Sequence, residues 1–163
     1  PMSVVQFDAH SDLWPDDNMA RIDHGTMMYK AVKLGLVDVT RSVQIGIRTE
    51  CEDYLGMPYI DARTCHEKGA GWVAEQIKSR VGDHPTYVTF DIDALDPAFA
   101  PGTGTPEAGG LTMREAQGMV RMLAGQEIIG ADMVEVSPPF DNSGVTALNG
   151  ATMMFELLCV MAK

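Results

Sequence analysis

The stretch SVVQFDAHSD, residues 3–12, carries a short apolar run directly into two aspartates and a histidine at alternate positions. The β-branched and aromatic residues of the run are typical of a buried strand, and the polar residues mark its end. Side chains alternate between the two faces of extended backbone, so Asp8, His10 and Asp12 can point to one side if that conformation continues. The stretch therefore predicts a strand with a polar group at its carboxyl end.

The same pattern, an apolar run ending in acidic residues, occurs twice more along the chain. TYVTFDID at residues 86–93 and IIGADMVEV at 128–136 repeat it, and SVQIGI at 42–47 is a fourth candidate strand. Helical patterns lie between these strands. We therefore predict an α/β fold with three α/β/α layers and a mainly parallel sheet. In such a sheet, ligands gather at the carboxyl ends of the strands.

Three segments carry helical patterns. Residues 67–81 predict a helix with its apolar face formed by Trp72, Val73, Ile77 and Val81. Residues 112–115 have the form of a capping box, which predicts a helix running to about residue 123. The most apolar stretch, 145–162, contains Asn149, Gly150 and Glu156, and we expect a buried helix there instead of a membrane span.

Composition narrows the classes of partner. The chain has 163 residues, 45% of them hydrophobic, and a formal net charge of −11. This acidity disfavours nucleic acid and anionic membranes as partners and is compatible with a cationic ligand. Cys51, Cys65 and Cys159 are odd in number and widely spaced, which favours free thiols and a cytoplasmic protein.

The acidic residues at the strand ends indicate a metal site. Carboxylates crowded beside an apolar sheet repel one another, so we expect a cation among Asp8, Asp12, Asp91 and Asp93. The alternative is that they are loop acids and helix N-caps satisfied by backbone N–H groups. Two such motifs at equivalent strand ends favour metal. With His10 added, the oxygen-rich ligand set favours Mn²⁺ or Mg²⁺, with Zn²⁺, Fe²⁺ or Ni²⁺ as alternatives.

Five ligands indicate more than one ion. Two ions that share bridging carboxylates can lower the pKa of a shared water, which makes hydrolysis the expected reaction class.

Five collinear stretches resemble the ureohydrolase (arginase and agmatinase) family of binuclear manganese enzymes. They are FDAHSD, DHGTM at 23–27, VQIGIRTE at 43–50, FDIDALDPAFAPGTGTPEAGGLT at 90–112 and VEVSPPFD at 134–141. DHGTM and GIRTE look more like agmatinases than arginases. The resemblance implies an arginase-like fold, two Mn²⁺ ions and a homotrimer or homohexamer. It also implies cleavage of a small cationic guanidino substrate to urea and an amine, most simply agmatine to putrescine, a step of polyamine biosynthesis.

The resemblance also implies a role for each metal ligand. Asp8 and Asp91 would bridge the two ions, Asp12 would complete the shell of one ion, and His10 with Asp93 would bind the other. Asp12 would also orient the attacking hydroxide.

Three further residues receive substrate and proton-transfer roles from the resemblance. His24 would shuttle protons to the departing amine, although a loop histidine that caps the next helix is an alternative. Glu135 would pair with the guanidinium, a role that suits a bidentate carboxylate. Its alternative is a buried acid bonded to the turn at 138–139. Thr105 would help to line the guanidinium pocket.

The family carries one more histidine ligand, in a Gly-Asp-His segment upstream of the first strand, and the sequence does not include it. We therefore expect residues 1–163 to be a single ureohydrolase domain that forms the C-terminal portion of a longer family domain, without its N-terminal strands and helices. The alternative is a chain that binds one of its ions weakly.

Several functional alternatives stay open. They are a hydrolase of 4-guanidinobutyrate or guanidine, a noncatalytic ureohydrolase-like subunit or remnant, and a binuclear phosphoesterase, which the acidic balance and Glu135 disfavour. The loop at 13–22 is the candidate reader of the substrate tail, through Asp16 and Asp17.

Overall fold

The sheet consists of five strands, all parallel. A computed structural model describes residues 1–162. The strands are β1 (Ser3–Phe7), β2 (Val43–Ile47), β3 (Tyr59–Asp61), β4 (Thr86–Asp91) and β5 (Ile128–Val134), and their order in the sheet is β3-β2-β1-β4-β5. The four strands predicted from sequence are confirmed. The short third strand was not predicted, because three residues carry no readable alternation.

Four helices cover the sheet: α1 (Met27–Lys33), α2 (Ala62–Val81), α3 (Met113–Arg121) and α4 (Val145–Met161). Buried residues of α2, α3 and α4 pack with Phe7 and Phe90 in the main hydrophobic core. Met28 of α1 packs with Val4 in a smaller cluster on the opposite face. Because successive residues of a strand face opposite sides, these two clusters define the predicted three layers.

The predicted helix patterns are partly confirmed. Thr112 accepts from the Glu115 amide, and Glu115 accepts from the Thr112 amide, so the capping box is present. Helix α2 begins earlier than predicted and is interrupted at Gly69, where φ is +80°. Val73, Ile77 and Val81 are buried as expected, but Trp72 is 39% exposed and lies at the edge of that face.

The expectation that residues 145–162 form a buried helix is wrong for half of the helix surface. The inward side chains of α4 pack against β5 and α3, whereas its outward face is solvent-exposed and includes Leu148, Met154, Phe155 and Leu158. The helix is apolar on all sides, so its composition alone could not show which face would be covered. Within the described residues, none of the helices combines the length and the apolar character needed to cross a membrane.

Candidate metal centre and active site

The candidate site lies where the strand order of the sheet reverses. From β1 the chain moves outward to β2 and β3, and then returns to the other side of β1 to form β4 and β5. The crevice at such a switch point is the usual ligand site of an open parallel sheet. Phe7 is paired with Phe90, and their rings stack at 5.1 Å between centroids. This register places Asp8 and Asp91 side by side at the carboxyl edge.

Both aspartate motifs begin with the same local turn. Asp8 Oδ1 accepts from the His10 amide at 2.7 Å, and Asp91 Oδ1 accepts from the Asp93 amide at 2.8 Å. Asp93 Oδ1 in turn accepts from the Ala9 amide at 3.0 Å, which joins the two loops. The backbone-capping alternative is therefore correct for one oxygen of each of these three carboxylates, Asp8, Asp91 and Asp93, while the second oxygens of Asp8 and Asp93 contact side chains instead of backbone amides.

Asp8, His10 and Asp93 form a group of candidate metal ligands, with one ligand atom from each lying within 4.8 Å of the others. His10 Nδ1 is 2.9 Å from Asp93 Oδ2 and 3.5 Å from Asp8 Oδ1. Asp12 and Asp91 are not part of this group, but both line the adjoining cavity of about 340 Å³ with His10 and Asp93. All five predicted ligands thus lie at one edge of the sheet.

Burial and mutual repulsion disfavour the ionised carboxylates. Burial, reinforced by repulsion from neighbouring carboxylates, raises the pKa of Asp8 to about 6, of Asp12 to about 8 and of Asp91 to about 10. Burial alone would also raise the pKa of Asp93, but hydrogen bonds from His10 and the Ala9 amide outweigh it and lower that pKa. Hydrogen bonds to Asp8 and then Asp93 raise the pKa of His10 to about 10. A protonated imidazole therefore supplies positive charge that a bound cation can replace.

A buried amide chain supports Asp8 from beneath. Gln6 Nε2 donates to Asp8 Oδ2 at 2.8 Å, and Gln44 Nε2 donates to Gln6 Oε1 at 2.7 Å. Both glutamines are buried and face each other across β1 and β2. Sequence reasoning missed this support, although a glutamine inside each of two apolar strands was a visible signal. Such outer partners orient metal ligands and tune their basicity.

His24 and Glu135 meet across the mouth of the cavity. His24 Nδ1 contacts Glu135 Oε1, and both residues line the cavity. The alternative roles, a helix-capping histidine and an acid bonded to the 138–139 turn, are not what these side chains do. Glu135 and Asp12 have φ of +63° and +55°, two of the three positive values at non-glycine residues within 1–162. Strained backbone of this kind clusters at functional sites.

The remaining predicted residues differ in how they meet the cavity. Thr105 lines it and donates to Asp93 Oδ2 at 3.3 Å. Asp16 is instead paired with Lys30 at 2.7 Å, so the predicted tail-reading role of its carboxylate is not supported. The same loop supplies Trp14, which lines the cavity and which sequence reasoning missed.

The fold and the site together define a parallel α/β protein with a carboxylate–imidazole centre suited to divalent metal ions. Comparison with known proteins identifies the group within that class. The sequence model of the arginase family matches residues 1–160, and the chain belongs to that family. Membership implies a binuclear metal site.

Similar proteins with a name include agmatinases and an amidino hydrolase. The chain is 48% identical to the agmatinase of Chromobacterium violaceum, over 99% of this chain and 50% of that protein. It superposes on the crystal structure of a hypothetical agmatinase from Burkholderia thailandensis with a TM-score of 0.97 and 55% identity, over 98% of this chain and 51% of that one. The structure of proclavaminate amidino hydrolase from Streptomyces clavuligerus superposes with a TM-score of 0.94 and 40% identity, over 99% of this chain and 56% of that one. The chain thus spans about half the length of the curated relatives it matches.

Proposed function

We propose that this chain carries the metal-dependent hydrolysis of a guanidino group, with agmatine as substrate and urea and putrescine as products. The observation that carries the proposal is the single cavity that Asp12, Asp91 and Asp93 line together with Glu135. The aspartates suit divalent ions, and Glu135 suits a planar cation. The similarity to agmatinases at about half identity supports the same substrate.

The metal ligands in this proposal are Asp8, His10, Asp12, Asp91 and Asp93, and they would hold two Mn²⁺ ions. Their oxygen-rich donor set suits Mn²⁺, with Ni²⁺, Zn²⁺, Fe²⁺ or Mg²⁺ as alternatives. The raised pKa values of Asp8, Asp12 and Asp91 support the fit, because a bound cation offsets both the burial and the mutual repulsion that raise them. When bound, the ions supply hydroxide near neutral pH by lowering the pKa of water.

The chain's own residues then bind and orient the substrate. The Glu135 carboxylate accepts hydrogen bonds from the substrate guanidinium, which replaces His24 as its partner. Thr105 lines the same pocket. Asp12 accepts a hydrogen bond from the nucleophile and directs its oxygen toward the guanidinium carbon.

Proton transfer completes the reaction. The oxygen of water, which has lost one proton to form hydroxide, bonds to the guanidinium carbon, and the bond from that carbon to the tail nitrogen breaks with its electron pair on nitrogen. The hydroxyl proton left on the oxygen then passes to solvent, which gives neutral urea. His24, whose side chain is 85% exposed, delivers the proton that the departing amine needs and regains one from solvent.

A second cavity of about 410 Å³ supports a substrate with a cationic tail. It shares Trp14 with the metal cavity and is also lined by Thr49, Glu50, Glu52 and Tyr54. Neither glutamate carboxylate has an ion pair or hydrogen bond within residues 1–162. Free carboxylates beside aromatic rings attract an ammonium and repel a carboxylate. Agmatine is therefore preferred to 4-guanidinobutyrate.

Urea release from agmatine, 4-guanidinobutyrate and guanidine tests the proposal on the Mn²⁺-loaded chain. We expect kcat/KM to be highest for agmatine, and Glu52→Gln to lower it for agmatine more than for 4-guanidinobutyrate. His24→Ala should slow turnover while metal is retained. Preference for 4-guanidinobutyrate would replace the substrate assignment. Absence of urea from all three compounds, with metal bound, would favour a noncatalytic subunit.

A homotrimer or homohexamer and a cytoplasmic location belong to the same proposal. The exposed apolar side chains Leu148, Phe155 and Leu158 on α4 support self-association, since exposed apolar patches mark interaction surfaces. Light scattering on the purified chain gives the number of copies directly.

A further inference from the structure

Arg48 connects the two loops that carry the candidate metal ligands. It follows the last residue of β2 and is half-buried. Its backbone N–H donates to the carbonyl oxygen of Ala9 at 3.0 Å, between Asp8 and His10. Its backbone is therefore bonded to the first ligand loop.

The guanidinium of Arg48 reaches the second ligand loop. Nη2 donates to the carbonyl of Asp93 at 2.6 Å and to that of Glu107 at 2.7 Å, and Nε donates to the Glu107 carbonyl at 3.2 Å. Nη1 donates to the carbonyl of Gly46 at 3.1 Å. All of these acceptors are backbone carbonyls, and they belong to three different segments. One side chain thus fixes the ends of β2, the Asp93 turn and the 107–110 loop relative to one another.

The packing around this guanidinium leaves little room for movement. A Cβ built on Gly110 would lie 2.6 Å from Arg48 Nη2, so the loop backbone rests directly on the arginine. Glu107, whose carbonyl Arg48 holds, places its own carboxylate Oε1 4.0 Å from His10 Nε2. Arg48 therefore restrains a carboxylate near the outer nitrogen of a candidate ligand as well as the Asp93 turn. Arginine suits the task because its rigid planar fork presents five donors in fixed directions, whereas the lysine ammonium is a compact charge on a flexible stem.

We propose that Arg48 is a positioning residue that sets the spacing between the His10 and Asp93 loops and thereby the affinity of the site for divalent metal. The inference rests on the proposed function, because it takes these residues as metal ligands. A positioning role differs from a purely structural role in one measurable respect. Loss of Arg48 should weaken metal binding beyond any loss of fold stability.

Two variants of Arg48 and one control test the proposal. The control is Arg121→Met on α3, because Arg121 also makes close guanidinium bonds, in its case to Glu156 on α4, away from the site. Mn²⁺ affinity and stoichiometry are measured by titration calorimetry, and Tm is measured separately in EDTA. We expect Arg48→Met to lower Mn²⁺ affinity by about tenfold or more, the usual effect of losing an outer-shell partner.

Two further variants distinguish a positioning role of Arg48 from a purely structural one. Arg48→Lys, which keeps the charge, should fold and show an intermediate affinity, so it decides the matter if Arg48→Met does not fold. Arg121→Met should lower Tm without changing Mn²⁺ affinity. Mn²⁺ affinity unchanged in Arg48→Lys and Arg48→Met, with only Tm reduced, would overturn the positioning role while leaving the proposed function intact. No Mn²⁺ binding by the wild-type chain would instead overturn the proposed function itself.

Discussion

At the scale of single residues, the carboxyl edge of the sheet gathers more carboxylates than nearby positive side chains can neutralise. Asp8 and Asp91 stand side by side, each with one oxygen used by its own loop and each with a raised pKa. His10 supplies one positive charge, and Glu135 is paired with His24. Divalent ions would remove this imbalance, whereas hydrogen bonds alone do not.

The stability of the metal-free chain should fall as pH rises from about 6 to about 9, because the folded state holds protons that the unfolded state has released. Asp12 and Asp91 titrate at about 8 and about 10 when folded, far above 3.8, and His10 at about 10 instead of 6.5. The stability that each group contributes is fully present below its pKa in the unfolded chain, and it is lost as pH rises through its pKa in the folded chain. Thermal unfolding in EDTA measures it.

Added Mn²⁺ should stabilise the fold more at the upper end of this pH range, since the ions replace the same protons. Asp91→Asn serves as the control and should flatten the pH dependence in EDTA. A Tm in EDTA that is level or rises over the range would show that these groups do not share protons as described.

Sequence patterns predicted the candidate ligand residues because each of them depends on local alternation at a strand end, and the structure places these residues at one edge of the sheet. They could not predict contacts that depend on packing between distant segments. The Lys30–Asp16 pair requires α1 to lie over the 13–22 loop, and the Gln44–Gln6–Asp8 chain requires β1 and β2 to be neighbours in register. The meeting of His24 and Glu135 likewise joins residues 111 positions apart.

At the scale of single elements, helix α2 is interrupted by a glycine whose backbone conformation the apolar pattern of the sequence does not indicate. Its predicted start at residue 67 falls near Gly69, where φ is +80° and ψ is 163° inside the helix. That conformation is almost restricted to glycine. The apolar periodicity after the break was readable, whereas the extra turn before it, starting at Ala62, was not.

Replacing Gly69 with alanine should destabilise the fold by about 1–3 kcal/mol, the cost of a side chain in that backbone region. The matched control is Gly71→Ala in the same helix, where the backbone is helical and an added Cβ meets nothing within 4 Å. It should stabilise by about 0.5–1 kcal/mol. Urea unfolding midpoints measure both. Equal effects of the two substitutions would contradict the break at Gly69.

At the scale of the whole molecule, strand order decides where function lies. Reversal of the chain between β1 and β4 brings together side chains from positions 8–12, 91–93 and 135, and β2 adds Arg48. The parallel α/β class was predictable from the alternation of strands and helices. The outward face of α4 was not, because an evenly apolar helix does not reveal which side is covered.

The number of metal ions bound per chain tests the central claim most directly. Native mass spectrometry of the purified chain after Mn²⁺ loading gives this number, with Asp91→Ala measured in parallel. We predict two ions per wild-type chain, and loss of metal binding and turnover in Asp91→Ala. Fewer than two ions in the wild type, or two ions retained by Asp91→Ala, would contradict a binuclear centre at this edge of the sheet.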